Sequence, residues 1–348
     1  MKFSLFYPVA SYQEHATLSS IYENTIQISA FAEELGFDCI YFNEGHDYSP
    51  NYKNPNARIL IAAVAQHTSS INLGVAITGL SIKDPRFLAE DVVMLDSICN
   101  GRLMFGHSIG YVKNYQEFGI DQSLAPEVYD VKVQAFDAFL DGKTVNADLG
   151  FLKYENAYLA NKPEFSNLKQ RIFHGTTSVG KVRAIGAKAN RLGYTMKTLP
   201  SVGQLSEERS IGEISKVIEE YNIGWKSSEI YPLAAPSITL NLMAHVFDVK
   251  KTNYDLVNNC LNQYWTALTG VEQNGITHMS RCFEDGITPF GSAKNVVERL
   301  NKLNALGVDS VMLCFNFGGM PNDLVRNNIR KFADEVMPFV NSGSYFHD

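Results

Sequence analysis

The stretch Gly291–Leu313, GSAKNVVERLNKLNALGVDSVML, decides the fold class because it reads as one helix running directly into one strand. Ser292–Leu306 is helical in pattern and Ser310–Phe315 is β-rich, with Leu324–Phe339 as a closing helix. The same alternation recurs towards the N-terminus. Lys2–Tyr7 reads as a strand, and Leu18–Leu35 as a helix with Ile21, Ile28, Phe31 and Leu35 at helical spacing and Gly36 at its C-cap. Asp38–Asn43, Ile71–Ile77 and Arg102–Ser108 are further strands, separated by helices Asn56–His67 and Pro85–Cys99. Pro85 suits a first helical turn, where its missing N–H costs nothing. The span from Tyr111 to Pro163 is less regular, with a helix near Leu124–Leu140 and then a Gly- and Asn-rich stretch. Strand five is Arg171–Thr176, followed by a helix ending at Leu192. Tyr194–Lys197 is strand six, Glu207–Tyr221 a helix, Ser237–Val246 strand seven and Tyr254–Leu268 a helix.

Eight strands, each followed by a helix, without repeats or linker composition, predict one α/β domain over residues 1–348. The expected architecture is a single (β/α)8 TIM barrel with an excursion after strand 4 and an insertion before strand 8. A doubly wound two-domain sheet is the alternative that periodicity leaves open. No GxGxxG follows the first strand, which counts against dinucleotide binding.

The chain has 348 residues, 45% hydrophobic and 19% charged, as ordinary globular proteins do. A net charge of −7 with scattered Lys and Arg argues against nucleic acid as a partner; the densest basic cluster is Lys181, Arg183, Lys188 and Arg191. Five widely spaced cysteines without a CxxC read as reduced, buried thiols and give no metal site. The N-terminal residues read as a strand rather than a signal peptide, and no apolar run reaches the ~20 residues of a membrane span. The expected location is the cytoplasm.

In a barrel of this kind the active site lies at the C-terminal ends of the strands. His15, His46, His107, His174 and His245 fall near those ends, a concentration suited to acid–base or cofactor chemistry, although single core histidines are common. The run His174-Gly175-Thr176-Thr177-Ser178 ends a strand and opens a helix, where free amides and the helix dipole favour a phosphate, with Lys181 one turn in. An N-cap by Thr177 or Ser178 is the plainer reading of the same residues. Gly318-Gly319 after the eighth strand reads as a close approach over a ligand or as a turn.

Three blocks in order, AEELGFDCIYFNEGH (Ala32–His46), DPRFLAEDVVMLDSICNGRLMFGHSIGYVKNYQEFG (Asp84–Gly119) and Gly291–Pro338, resemble the bacterial luciferase-like flavin monooxygenases. The resemblance implies a barrel that takes reduced FMN from a separate reductase and uses O2 to oxidise a small or medium organic substrate, expected to be apolar. It also implies a homodimer or a heterodimer with a homologue, usually through helices of the N-terminal half. A relative uses a deazaflavin for hydride transfer instead, and a non-catalytic partner subunit is a further alternative.

Carried over residue by residue, Glu44 and His46 match the family's acidic residue and second histidine, whereas Gly45 stands where the first histidine would be. Ser108 occupies the place of a reactive-pocket cysteine, Ile109 that of a phosphate-gripping arginine, and Asp84 that of a histidine. Phosphate binding therefore falls to Gly175, Thr176, Thr177, Ser178 and Lys181 or Arg183. Val75-Ala76-Ile77 matches the segment beside the flavin ring, where the family often has a non-prolyl cis peptide. Proton handling falls to Glu44, His46, His107 or His174. Asp96 and Arg102 match a structural signature expected to form buried charge pairs. Tyr111 and Phe118 are expected to shape a loop over the pocket, Trp225 and Trp265 to pack, and the loops 48–55, 111–126 and 270–289 to set specificity.

Overall fold

The computed structural model describes residues 1–12, 16–46, 51–188, 190–195, 206–228, 236–248, 252–269 and 278–340. Eight parallel strands close a barrel: β1 (Lys2–Tyr7), β2 (Cys39–Phe42), β3 (Asn72–Gly79), β4 (Leu103–Ser108), β5 (Ile172–Thr176), β6 (Arg191–Thr195), β7 (Ile238–Met243) and β8 (Ser310–Cys314). Each pairs with its neighbours in chain order, and β8 returns to β1 in the register Lys2↔Ser310. The doubly wound alternative is thereby excluded.

The outer helices are α1 (Leu18–Glu34), α2 (Ala57–Ala65), α3 (Pro85–Ile98), α4 (Val112–Glu117), α5 (Ala125–Leu140), α6 (Val179–Ala187), α7 (Glu207–Lys226), α8 (Tyr254–Thr269), α9 (His278–Glu284), α10 (Ala293–Leu306) and α11 (Asn322–Glu335). Local chemistry starts and stops them. The Asp84 carboxylate accepts from the amides of Arg86 and Phe87 at the head of α3, with Pro85 in the first turn. The Ser292 hydroxyl caps α10, and Gly307 ends it at φ +104°. Asp84, where the family's histidine would stand, is thus a helix cap that also takes the Tyr154 hydroxyl at 2.8 Å.

Several expected boundaries move. The Gly- and Asn-rich excursion contains a hairpin, Val145–Leu149 with Leu152–Ala157, and the short α4 precedes α5. Helix α6 stops at Ala187, and strand six begins at Arg191, so that Leu192 and Tyr194 are buried. Periodicity misplaced this junction because an apolar residue fits a helix end and a strand start equally well. Lys197 and His15 lie outside the described residues, as do parts of the loops 48–55 and 270–289. The expected seventh strand is two pieces. Beyond Ala244, His245–Val246 pairs with Phe290–Gly291 in a separate two-stranded sheet.

The barrel interior is packed large against small. A Cβ on Gly74 would overlap the Tyr41 ring, and one on Gly106 would overlap Phe173. These two rings meet edge to face at 5.7 Å and fill the floor beneath the site. The charge pairs differ from the sequence expectation. Buried Asp96 receives both Arg171 guanidinium nitrogens, with Nη2 at 2.8 Å, whereas Arg102 donates to the backbone carbonyls of Ile71 at 2.7 Å and Cys99 at 2.9 Å.

Candidate active site

A cavity of about 770 Å³ opens at the C-terminal ends of the strands. Glu44, Ala76, Ser108, His174, Gly175, Thr176, Thr177, Ser178 and Lys181 all line it, so strands two to five and the head of α6 deliver most of the expected residues to one place. Ala76 and Ile77 reach the wall because the β3–β4 register shifts between Val75 and Thr78, and the Ala76–Ile77 peptide is cis. Val75 and His107 are fully buried and off the wall, and His46, partly exposed, is off it too.

Glu44 is held by cations. The Arg58 guanidinium donates to Oε2 at 2.9 Å, Lys83 Nζ lies 3.1 Å from Oε1, and the Thr78 hydroxyl is 3.3 Å from Oε2. Burial alone would raise the Glu44 carboxyl; the contact with His46 and the charges of Arg58 and Lys83 outweigh it and hold it at about 2. His46 sits behind this carboxylate, Nε2 3.0 Å from Lys83 Nζ and 3.7 Å from Glu44, with its ring against Phe118. It faces the ion network and not the cavity.

His107 and His174 form a second network. Their rings stand 4.2 Å apart, and the Tyr129 hydroxyl of α5 lies 3.1 Å from Nδ1 of His107 and 3.3 Å from Nδ1 of His174. With the Asn190 amide donating to Nε2 of His174 at 3.0 Å, His174 carries its proton on Nδ1 and gives it to the Tyr129 oxygen. Tyr129 in turn donates to His107, whose remaining N–H at Nε2 is buried without a partner among the described residues. Burial, with the charge of Lys188, pushes His174 down to about 3; burial and the charges of His174 and Lys188 push His107 well below its ordinary value. Both imidazoles are therefore neutral at pH 7, in contrast to the expectation of groups that exchange protons there. His245 is a core residue, pushed down to about 4 by burial against Phe247 and Phe317, and takes no part in the cavity.

At the other wall, no side chain caps α6. The Thr176 hydroxyl accepts the Ser178 amide at 3.1 Å, so the expected cap by Thr177 or Ser178 gives way to a turn that leaves the following amides without side-chain partners. Lys181 lines the cavity here, and Lys188, just past the C-terminal end of α6, lines it further along; neither makes an ion pair among the described residues. Arg183 does not belong to this group, because Glu220 binds it on the outside at 2.7 and 3.1 Å.

The sequence reading missed Tyr52, Tyr129, Lys188, Thr239, Asn241 and Arg281, all on the cavity wall. Lys188 had a usable signal, one α6 turn pair beyond Lys181; the others reach the site through tertiary contacts alone. Trp265, read as packing, also lines the cavity, whereas Trp225 packs on Tyr221. Gly318 turns at φ +59° against the Cys260 carbonyl, so the glycine doublet packs on α8 and not over the cavity. A Cβ at Gly45 would stand 3.1 Å from the Tyr52 ring, which fills the space a side chain there would need.

The family model for luciferase-like monooxygenases matches residues 1–207. This chain belongs to that family. It is 30% identical to the oxygenase component of a flavin-dependent trigonelline monooxygenase from Acinetobacter baylyi, over 97% of this chain and 95% of that protein. Solved structures share the fold at lower identity. The oxygenating constituent of 3,6-diketocamphane monooxygenase from Pseudomonas putida, solved in complex with FMN, has a TM-score of 0.74 at 15% identity and covers 98% of this chain and 99% of its own. An F420-dependent secondary alcohol dehydrogenase has a TM-score of 0.75 at 15% identity, with 97% and 98% covered.

The wall suits a flavin mononucleotide. Amides without side-chain partners, three hydroxyl residues and Lys181, which makes no ion pair among the described residues, gather where a phosphate would lie, and Ala76, Ile77 and Ser108 offer a close-packed edge for a flat ring.

Proposed function

We propose that this luciferase-like enzyme is an FMN-dependent monooxygenase that receives reduced FMN from a separate reductase and oxidises a small organic substrate with O2. The observation that carries the reading is the continuous wall from Ala76 and Ser108 to the uncapped head of α6. Bound reduced flavin supplies the oxygen-activating chemistry. Thr176, Thr177, Ser178 and Lys181 hold the phosphate, with Lys188 replacing the charge that Ile109 does not provide. Ile77, packed against Gly175, supports the ring from below. Tyr129, held by two neutral imidazoles, is the protic group these side chains present to the reacting centre. Glu44 fixes the rim through Arg58 and Lys83 and stays ionised, so it positions rather than exchanges protons. The chain acts as a dimer: Ile59 on α2 and Phe87 and Met94 on α3 are 71%, 68% and 62% exposed, an apolar face that a second copy would cover. No helix among the described residues is long and apolar enough to cross a membrane, consistent with work in the cytoplasm.

The fold shared with an F420-dependent dehydrogenase favours deazaflavin hydride transfer as the second reading. Oxygen electrode measurements separate the two. With NADH, a flavin reductase, FMN and a panel of organic substrates, substrate-dependent oxygen uptake with hydroxylated or ring-expanded product is expected. Substrate oxidation that needs a deazaflavin and consumes no oxygen would overturn the proposal.

A further inference from the structure

The cations on the cavity wall fall into two groups on different sectors of the barrel. Lys181 lies in the first turn of α6 and Lys188 just past its C-terminal end, both after β5. Arg281 belongs to α9, in the connection between β7 and β8, and makes no ion pair or side-chain hydrogen bond among the described residues. In the closed strand order, β7 and β8 stand across the barrel from β3 and β4, the sector with the cis peptide and Ser108. Glu284 and Asp285 follow on the same stretch, and Asp285 lines the same cavity, but neither makes an ion pair or side-chain hydrogen bond with Arg281 among the described residues. Asp285 accepts the amides of Ile287 and Thr288 at 3.0 and 2.9 Å and faces Arg299 at 3.9 Å.

The same cavity is lined by Thr239 and Asn241 of β7, whose side chains make no hydrogen bond among the described residues, and by Tyr264 and Trp265 of α8, the helix that packs against α9. A guanidinium left without an anion inside a partly enclosed wall forfeits the interaction it makes best, a two-pronged pair with a carboxylate. Aromatic rings beside it offer a face for a flat body.

The geometry points to a substrate subsite for an organic carboxylate: an aromatic or otherwise flat monocarboxylic acid whose anionic end pairs with Arg281 and whose body lies against Tyr264 and Trp265. The expected apolar substrate is thus sharpened into an apolar body with one anionic anchor. This rests on the flavin reading only for the assignment of the α6 lysines to phosphate.

Benzoate is the probe, with benzyl alcohol as its uncharged counterpart, titrated calorimetrically into the full chain with and without FMN. Wild type is expected to bind benzoate at least tenfold more tightly than benzyl alcohol. Arg281→Met should weaken benzoate about tenfold or more while changing FMN affinity less than about threefold, and Arg281→Lys should retain part of the preference. Lys181→Met should show the converse. Melting curves of each variant separate loss of the fold from loss of the subsite. Equal binding of the acid and the alcohol, or benzoate affinity indifferent to Arg281→Met in a folded variant, would overturn the inference. So would an FMN loss in Arg281→Met matching that of Lys181→Met, which would place the phosphate at Arg281. Failure of wild type to bind FMN while benzoate still discriminates Arg281 would instead refute the flavin reading alone.

Discussion

The two sides of the cavity handle charge in opposite ways. On the β2–β3 side, Glu44, Arg58, Lys83, His46 and Asp91 neutralise one another within a partly buried network. On the β5 and β7–β8 side, Lys181, Lys188 and Arg281 line the cavity and make no ion pair among the described residues. A saturated network resists change and sets shape. Unsaturated cations are available to a ligand, and the proposed phosphate and carboxylate sites rest on them. The motif residues Glu44 and His46 belong to the first kind, whereas the residues proposed to choose ligands belong to the second.

Removing the centre of the saturated side should have the largest effect. Glu44→Ala leaves Arg58 with Asp91 as its one carboxylate and Lys83 with none among the described residues, and the chain should lose about 3 kcal/mol of stability, read as a lower urea midpoint. A loss below ~1 kcal/mol would mean that the network contributes no more than surface pairs do.

Acid titration tests the neutral histidines. His174 at about 3 and His245 at about 4 both lie below the ordinary histidine value of 6.5. The unfolded chain takes up protons first, so stability is fully present above about pH 6.5 and falls as the pH is lowered towards 4. The slope is up to about 1.4 kcal/mol per pH unit for each histidine. Glu44 behaves differently: its folded value of about 2 lies below the ordinary 4.5, so its contribution is lost only below about pH 4.5. Thermal melts at pH 7, 6 and 5 should show the histidine slope, and His245→Asn should flatten it; an identical slope in that variant would exclude His245 as a source.

On the unsaturated side, Lys181→Met is expected to weaken FMN about tenfold, ~1.4 kcal/mol, with stability unchanged. Fluorescence titration of FMN at two salt concentrations checks this, because a phosphate contact weakens with added salt. A variant that binds FMN normally would move the phosphate away from α6.

The smallest effect belongs to Gly45. Gly45→His should not raise turnover, since its Cβ presses on Tyr52 and a few tenths of an ångström must be given up on the cavity wall. Substrate affinity should fall by less than about tenfold. A clear gain in turnover would show instead that the missing imidazole limits the reaction.

Much of this was legible beforehand, for reasons that differ by residue. Strands and helices were readable because each carries its own pattern, from Gly291–Leu313 back to Lys2–Tyr7. Thr176, Thr177 and Ser178 were readable because a strand end followed by a helix start fixes where amides are left over. The roles of His107 and His174 were not. Their protonation depends on Tyr129, far from both in sequence, and on how deeply the barrel buries them. Asp96 was expected to form a buried charge pair; its partner, Arg171, could not be named, because the pairing joins α3 to a residue 75 positions further along the chain.

The sequence by itself determined the barrel, the family and the strand ends at which chemistry is placed, since periodicity, caps and motif order are properties of neighbouring residues. Only the tertiary structure decided which charges are neutralised and which are left for ligands. Glu44 and Arg281 are both single charged residues in the sequence. One is surrounded by Arg58, Lys83 and His46 and the other makes no ion pair among the described residues, because burial and long-range proximity, which set the cost and the partner of a charge, exist only once the chain has closed.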